Sequence, residues 1–368
     1  MTSLTASNQS NQSPASLEIK SCRTRCTNAL QVIRLQKNQP TEMSAGSKDY
    51  RAVLHVLTTA CNNLDVISTK FTVTIDACIQ QLESSAWAAA LCKSVDNACE
   101  AVISSGTVAA ACSCGRHLRK DLLTAVETVV VCLEKQLKMA ENRLNDPSNL
   151  TLGKQLIVLT GQVASACKNV TLLPKSNKSC LKRRILTAFK QMNDNILEQK
   201  EMIEDSMESP RVDVDETEDA SLTQEDMDSM FFDYDFTLSL EEIETSRECL
   251  IFSEKYSLYL QKVALIVGKH VSDRTCTSKA IECIDDMGDL MTKYSLDLNE
   301  LGVCLCPPQK LENIMELKGL LVRTLEEMYS CLEELLVVAL FETSNENDRQ
   351  TLVEEVKNQL LELVELTK

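Results

Sequence analysis

The residues best suited to bind a metal form the sequence Cys112-Ser-Cys114-Gly-Arg-His117, which offers two thiols and an imidazole. Structural zinc sites usually combine two ligand pairs, each with two to four residues between its members. Further cysteines lie at Cys22, Cys26, Cys304 and Cys306. None of them supplies a second matching pair, and on a helix Cys112 would not share the face of Cys114 and His117. We therefore predict no metal site.

The stretch from Asp213 to Met230 carries eight carboxylates and no basic residue, which raises the possibility of a calcium loop. An EF-hand loop needs a glycine at its sixth position to make the turn. Counting from Asp213 puts Glu218 there, and counting from Asp233 puts Leu238 there. The acidic stretch is therefore predicted to be a charged linker, and no cofactor is predicted.

Catalysis by a nucleophile would need a base beside it, and the chain has only three histidines, at His55, His117 and His270. His55 lies in a helical pattern with Val53 and Leu57, which favours a structural role. The sequence contains no nucleophile elbow, zinc-protease motif, phosphate loop or dinucleotide fingerprint. We predict that the protein is not an enzyme.

Four aromatic residues alternate with acidic ones just after the acidic stretch, and they are Phe231, Phe232, Tyr234 and Phe236. Carboxylates keep such apolar groups in water, where a groove on a partner could receive them. Alternatively, the four rings dock onto a helical bundle of the same chain. Ser209, directly before a proline, and Thr223, in the sequence Thr-Gln-Glu-Asp, are predicted phosphorylation sites in this exposed segment.

A basic cluster precedes a predicted helix, and its members are Lys175, Lys178, Lys182, Arg183 and Arg184. Such a cluster is typical of a nuclear-import signal and equally of a solvated helix face.

The net charge of the whole chain argues against binding to nucleic acid. The chain has a net charge of −16, of which residues 204–235 contribute −12 through thirteen acids and one arginine. An acidic chain without a basic stripe repels phosphates, so direct nucleic-acid binding is not expected.

The composition predicts a helical protein. Only 9 glycines, 7 prolines and 4% aromatic residues occur in 368 residues, while 44% are hydrophobic. The amino-terminal residues lack the apolar run of a signal peptide, and the longest uncharged run, 101–115, is too polar to cross a membrane. We expect a chain of the cytoplasm or nucleus that has no membrane partner. There most of the 17 cysteines serve as small hydrophobic residues.

Apolar residues recur every three or four positions in most of the chain, which is typical of amphipathic helices. We predict helices over 16–35, about 53–71, 83–104, 118–144, both sides of Pro174, 240–271, 280–301, 314–339 and 351–366. The sequence Ser104-Ser-Gly106 is predicted to break or loosen the third. The resulting fold is all-α, with a disordered segment 1–15, a bundle over 16–206, an acidic linker 207–237 and a second bundle over 238–368.

Two segments resemble the cyclin-D-binding protein family, also called Grap and cyclin-D interacting proteins. The first runs from Val163 to Asp205 and contains Leu-Pro-x-x-Asn-Lys at 173–178, followed by the acidic linker. The second runs from Tyr294 to Tyr329 and contains the Pro307-Pro308 stop. The resemblance implies a non-enzymatic helical regulator that binds cyclin D and helix-loop-helix factors, restrains the cell cycle and moves between cytoplasm and nucleus. The alternative is a cytoskeletal adaptor of the vinculin or talin-rod type.

Overall fold

The computed structural model describes residues 13–38, 50–112, 115–208, 237–272, 277–341 and 358. Every element in these ranges is an α-helix, which confirms the predicted all-α bundle class. In chain order they are α1 (Pro14–Asn38), α2 (Tyr50–Ile79), α3 (Ser85–Cys112), α4 (Arg116–Asn145), α5 (Leu150–Thr171), α6 (Asn177–Glu208), α7 (Leu240–His270), α8 (Ser278–Cys304) and α9 (Leu311–Phe341). The chain divides into two compact units, residues 1–177 and 178–368.

The first unit contains the five helices α1 to α5. Helix α1 packs on α3 and α4, α2 packs on α3 and α5, and α4 packs on α5. The predicted stripe of α2 is buried, since Leu57, Leu64 and Phe71 have no exposed surface. Each helix buries its apolar side against two or more neighbours, which is how an amphipathic helix keeps that side from water.

A polar contact ties three of these helices together inside the first core. The amide of Gln136 donates to the hydroxyls of Thr72 and Thr160, at 2.9 Å each, and to the carbonyl of Ser68 at 3.2 Å. Thr72 and Thr160 also lie 2.7 Å apart, oxygen to oxygen. Because a buried polar group without a partner is costly, this contact favours one register of α2, α4 and α5.

Helix α3 continues through Gly106, so the predicted interruption at residues 104–106 is wrong. Gly106 is buried, and a Cβ atom there would lie 2.7 Å from Cγ2 of Val126 on α4. The glycine therefore permits close contact between two helices and does not end one. In contrast, the predicted break at Pro174 is confirmed, because α5 ends at Thr171 and α6 begins at Asn177.

The second unit is built on α6, α7, α8 and α9. The apolar stripe of α6, which includes Leu181, Ile185 and Met192, is buried in one cluster with residues of the other three helices. The boundary at 177/178 differs from the predicted one, which assigned α6 to the first bundle. The acidic linker 207–237 consequently connects two neighbouring helices of one unit.

The ends of the helices in the second unit follow local sequence signals. The side chain of Ser239 accepts from the backbone N–H of Glu242, and the Glu242 carboxylate accepts from the N–H of Ser239, which is a capping box at the start of α7. Helix α8 ends at Cys304, shortly before the two prolines that were predicted to stop it. Within the described ranges, no helix is long and apolar enough to cross a membrane.

Candidate partner-binding surface

Helices α6 and α7 lie antiparallel and side by side. Three polar contacts join the two helices: Lys178 Nζ to Gly268 O (2.9 Å), Asn193 Oδ1 to Ser257 Oγ (2.7 Å) and Lys200 Nζ to Glu254 Oε1 (2.7 Å). Just before α7, the backbone N–H of Leu238 donates to Ser206 Oγ at 2.9 Å. The amino-terminal half of α6 therefore lies beside the carboxyl-terminal half of α7.

These two adjoining halves are basic within an acidic protein. Residues 178–193 and 255–270 together contain eight lysines or arginines and no aspartate or glutamate. The charge of α6 also opposes its helix dipole, since the first turn has no acidic residue and the last turn no basic one.

Apolar side chains are exposed among these basic residues. On α7, Ile251, Leu258 and Leu265 are 56%, 50% and 66% exposed, and on α6 Leu186 is 46% exposed. The three residues of α7 recur every seven positions, so they lie along one side of the helix. A single exposed leucine is ordinary, whereas a regular row is a feature of surfaces that receive another helix.

Lysines alternate with this apolar row at the same spacing. They are Lys255, Lys262 and Lys269, each four residues after an apolar member. We name the basic face as the set of Lys182, Arg183, Leu186 and Lys190 on α6 and Ile251, Lys255, Leu258, Lys262, Leu265 and Lys269 on α7. Its pattern fits a helix with an apolar side and acidic flanks.

The buried side of α7 fixes the direction of the basic face. The rings of Tyr256 and Tyr294 stack with centroids 5.9 Å apart and planes 11° apart, and Phe252 lies 4.3 Å from Tyr256. Tyr256, Tyr259 and Tyr294 have at most 1% of their surface exposed. Rotation of α7 would bring these rings into water, so packing holds the row at 251, 258 and 265 toward solvent.

The sequence-predicted partner residues Phe231, Phe232, Tyr234 and Phe236 lie outside the described residues, as do the predicted phosphorylation sites Ser209 and Thr223. Cys112 lies at the end of α3 and His117 at the start of α4, while Cys114 is outside the described ranges. In the part of the chain that the structure describes, no group of three or more His, Cys, Asp or Glu residues could hold a metal ion.

The cysteines behave mainly as small hydrophobic residues, as predicted. Nine of the fifteen described cysteines are buried. Cys26 and Cys99 join α1 to α3 with their sulfur atoms 4.0 Å apart. Hydrogen bonding to a neighbouring thiol and burial raise the pKa of Cys92, so its reactive thiolate is disfavoured.

Sequence reasoning identified the basic cluster on α6 but missed the lysines of α7. The missed signal was the seven-residue repeat of Ile or Leu followed four positions later by Lys, in a stretch without acids. The repeat was overlooked because the same stretch also contains the buried apolar residues Tyr256, Leu260 and Val263, which predict only an amphipathic helix.

Two helical units and an exposed helix face define a bundle protein with a surface suited to another helix. Residues 65–205 match the family described as Grap2 and cyclin-D-interacting, N-terminal. The match runs from α2 into α6, so this segment is similar to the cyclin-D-interacting family, and the resemblance seen in the sequence is confirmed. No curated protein matches the chain significantly.

Proposed function

We propose that the protein is a non-enzymatic interaction regulator that binds D-type cyclins and helix-loop-helix factors and restrains cell-cycle progression and transcription in the cytoplasm and nucleus. The observation that carries this proposal is the family match over residues 65–205. The all-helical fold supports it, because helical bundles commonly bind partner helices along their surfaces.

The basic face is the part of the described chain that best fits a partner helix. Leu258 and Leu265 are 50% and 66% exposed, so burying the remaining surface of each would contribute about 1–2 kcal/mol before the costs of association. The lysines would attract carboxylates on the partner, which speeds encounter and fixes orientation more than it raises affinity. The acidic residues 204–235 would repel a partner helix of the same charge.

The proposal is tested by measuring the affinity of the purified full chain for a purified D-type cyclin. The double substitution Leu258→Glu and Leu265→Glu places two carboxylates in the apolar row, and we expect affinity to fall at least about tenfold. The matched control is Leu296→Glu on α8, a leucine with 64% exposure outside the basic face. This control is expected to bind like the unchanged chain.

Two results would count against the proposal in different ways. If the unchanged chain does not bind the cyclin, the partner proposed from the family match is wrong. If it binds and the double variant binds equally well, the cyclin uses another surface. Circular dichroism of each variant checks that the helical content is preserved.

A further inference from the structure

Four cysteine thiols lie in a row between α1 and α3. Cys22 and Cys26 are four residues apart on α1, so they share one side of that helix. Cys92 and Cys99 are seven residues apart on α3 and likewise share one side. The sulfur atoms of Cys26 and Cys99 are 4.0 Å apart, and the thiol of Cys22 hydrogen-bonds to those of Cys26 and Cys92. The order along the row is therefore Cys92, Cys22, Cys26, Cys99.

Ion pairs beside the row hold α1 and α3 in register. Glu18 Oε1 lies 3.5 Å from Lys93 Nζ, and Asp96 Oδ1 accepts from Nε of Arg25 at 2.7 Å. Because higher residue numbers on α1 meet higher numbers on α3, the two helices run in the same direction. Each of the four cysteines has at most 3% of its surface exposed. The packing of the bundle thus fixes the thiols of α1 opposite those of α3.

The row supplies pairs of thiols and not four ligands for one ion. Zinc holds four thiolates about 2.3 Å from the metal, at the corners of a tetrahedron. Cys92 and Cys99, in contrast, are separated by about 10.5 Å along α3. Two thiols side by side have the arrangement that a disulfide joins. The adjacent pairs between the helices are Cys22 with Cys92 and Cys26 with Cys99.

We propose that these four cysteines are a modification site at which hydrogen peroxide forms two disulfides, Cys22 with Cys92 and Cys26 with Cys99, and thereby holds α1 on α3. Each bond forms in two steps. One sulfur, as the thiolate, attacks a peroxide oxygen and becomes a sulfenic acid, while the hydroxide that leaves takes the thiol proton as water. The neighbouring sulfur then attacks the sulfenic sulfur and displaces a second water. Two thiols are oxidised to one disulfide, and one peroxide is reduced to two waters.

Burial makes the first step slow, whereas proximity makes the second step fast. Hydrogen bonding to a neighbouring thiol and burial raise the pKa of both Cys22 and Cys92, which disfavours the thiolate that attacks peroxide. A transient separation of α1 from α3 therefore begins the reaction. When the helices close again, the two sulfur atoms of a pair need to approach by only about 2 Å to reach bonding distance. This fixed proximity gives the second step a high effective concentration.

The two bonds tie the first helix of the unit to its third. They close loops of 70 and 73 residues, and in the chain-entropy view a cross-link over a long loop restricts the unfolded state strongly. The oxidised first unit should therefore open less often at α1, and a reductant should reverse the effect by thiol–disulfide exchange. This inference concerns the first unit alone and does not depend on cyclin binding.

The test is mass spectrometry of tryptic peptides, after the folded full chain has been treated with hydrogen peroxide and its remaining thiols have been blocked. Trypsin separates all four cysteines, because cleavage after lysine and arginine places them in peptides 21–23, 26–34, 71–93 and 94–116. We expect 21–23 linked to 71–93 and 26–34 linked to 94–116. Each link should be at least about tenfold more abundant than any other pairing of these four peptides.

The two longer peptides contain further cysteines, which provide matched controls. Cys92→Ala should remove the first link, while Cys78→Ala in the same peptide should keep it. Cys99→Ala should remove the second link, while Cys112→Ala with Cys114→Ala should keep it. Because the main measurement uses the unchanged chain, it does not depend on the folding of any variant.

Amide hydrogen exchange measures the effect of the two bonds on α1. Peptides from α1 should exchange at least about tenfold more slowly in the oxidised chain than in the reduced one, and dithiothreitol should restore the original rate. Peptides from α7 to α9 provide an internal reference. The proposal is overturned if no link joins α1 to α3, or if the main product is a link within α1 between 21–23 and 26–34. It is also overturned if the same two links form equally in urea, or if exchange of α1 is unchanged when both links are present.

Discussion

Buried tyrosine hydroxyls are an unusual feature of the second core. The hydroxyls of Tyr256, Tyr259 and Tyr294 are buried and have no hydrogen-bond partner among the residues that the structure describes. Burial raises the pKa of each of them. We expect Tyr294→Phe to leave the free energy of unfolding unchanged or raise it by about 1 kcal/mol, because no partner is left unpaired. Urea denaturation followed by circular dichroism measures this change.

Tyr50→Phe is the matched control in the first unit. The Tyr50 hydroxyl is buried and donates to the carbonyl of Pro174 at 3.1 Å. Its removal should lower the free energy of unfolding by about 1 kcal/mol. If both substitutions destabilise the protein equally, the Tyr294 hydroxyl has a partner that the described contacts do not include.

The thiols between α8 and α9 predict how stability depends on pH. Burial raises the pKa of Cys283 to about 11 and that of Cys331 to about 12. Unfolded thiols ionise near pH 8.5, so the folded state holds more protons above that pH. The stabilisation is fully present below about pH 8.5 and is lost as the pH rises toward 11 and 12. The urea midpoint should therefore be lower at pH 10 than at pH 7, and this difference should be smaller in Cys331→Ala.

Helix α3 provides a test of close packing between helices. Gly106→Ala adds a better helix former, worth about 1 kcal/mol, but its Cβ would lie 2.7 Å from Val126. Val126 is itself buried, so we expect a net loss of about 1–3 kcal/mol in unfolding free energy. Thermal denaturation of the full chain, followed by near-ultraviolet and far-ultraviolet circular dichroism, measures this loss of stability.

Gly161 on α5 is the control for that substitution. It is exposed, and no atom lies within 4 Å of a Cβ built there. Gly161→Ala should therefore stabilise the first unit by about 0.5–1 kcal/mol. Combining Gly106→Ala with Val126→Ala should recover part of the lost stability. A stabilising effect of Gly106→Ala alone would show that α3 and α4 can separate without cost.

The helices were predictable because their apolar spacing is regular and their ends carry Pro or capping residues. The stop after Cys304, the break at Pro174 and the start at Ser239 all follow such local signals. The neighbours of each helix were not predictable. The stripe at Leu181 and Ile185 shows that α6 is amphipathic, but one stripe cannot specify which bundle covers it. For the same reason, only the α6 part of the basic face was predicted from the sequence. Its residues on α6 and α7 lie far apart in the sequence and come together only through packing.

Charge is distributed unevenly along the chain. Most of the net charge of −16 comes from residues 204–235, whereas the adjoining halves of α6 and α7 carry only positive charge. If the basic face binds an acidic partner, Lys190→Glu with Lys255→Glu should slow association with the cyclin and weaken its salt dependence. Stopped-flow association at two salt concentrations measures both, with Lys293→Glu on α8 as the control.

The boundary at residue 177 predicts that the first unit folds independently of the second. A fragment of residues 1–177 contains all five helices of the first unit and should unfold cooperatively as a monomer. A fragment of residues 1–206, the boundary suggested by the sequence, also carries α6 without the helices that cover its stripe. Leu181, Ile185, Ala188 and Met192 would then meet water, losing about 1.5–3 kcal/mol for each of the larger side chains.

Limited proteolysis distinguishes the two boundaries. In the 1–206 fragment we expect cleavage within residues 178–206 and a resistant core that ends near 177, while the full chain should resist cleavage there. Size-exclusion chromatography should show self-association of the longer fragment through the exposed stripe of α6. If residues 178–206 are as resistant in the fragment as in the full chain, α6 obtains its burial from the first unit and the boundary belongs after α6.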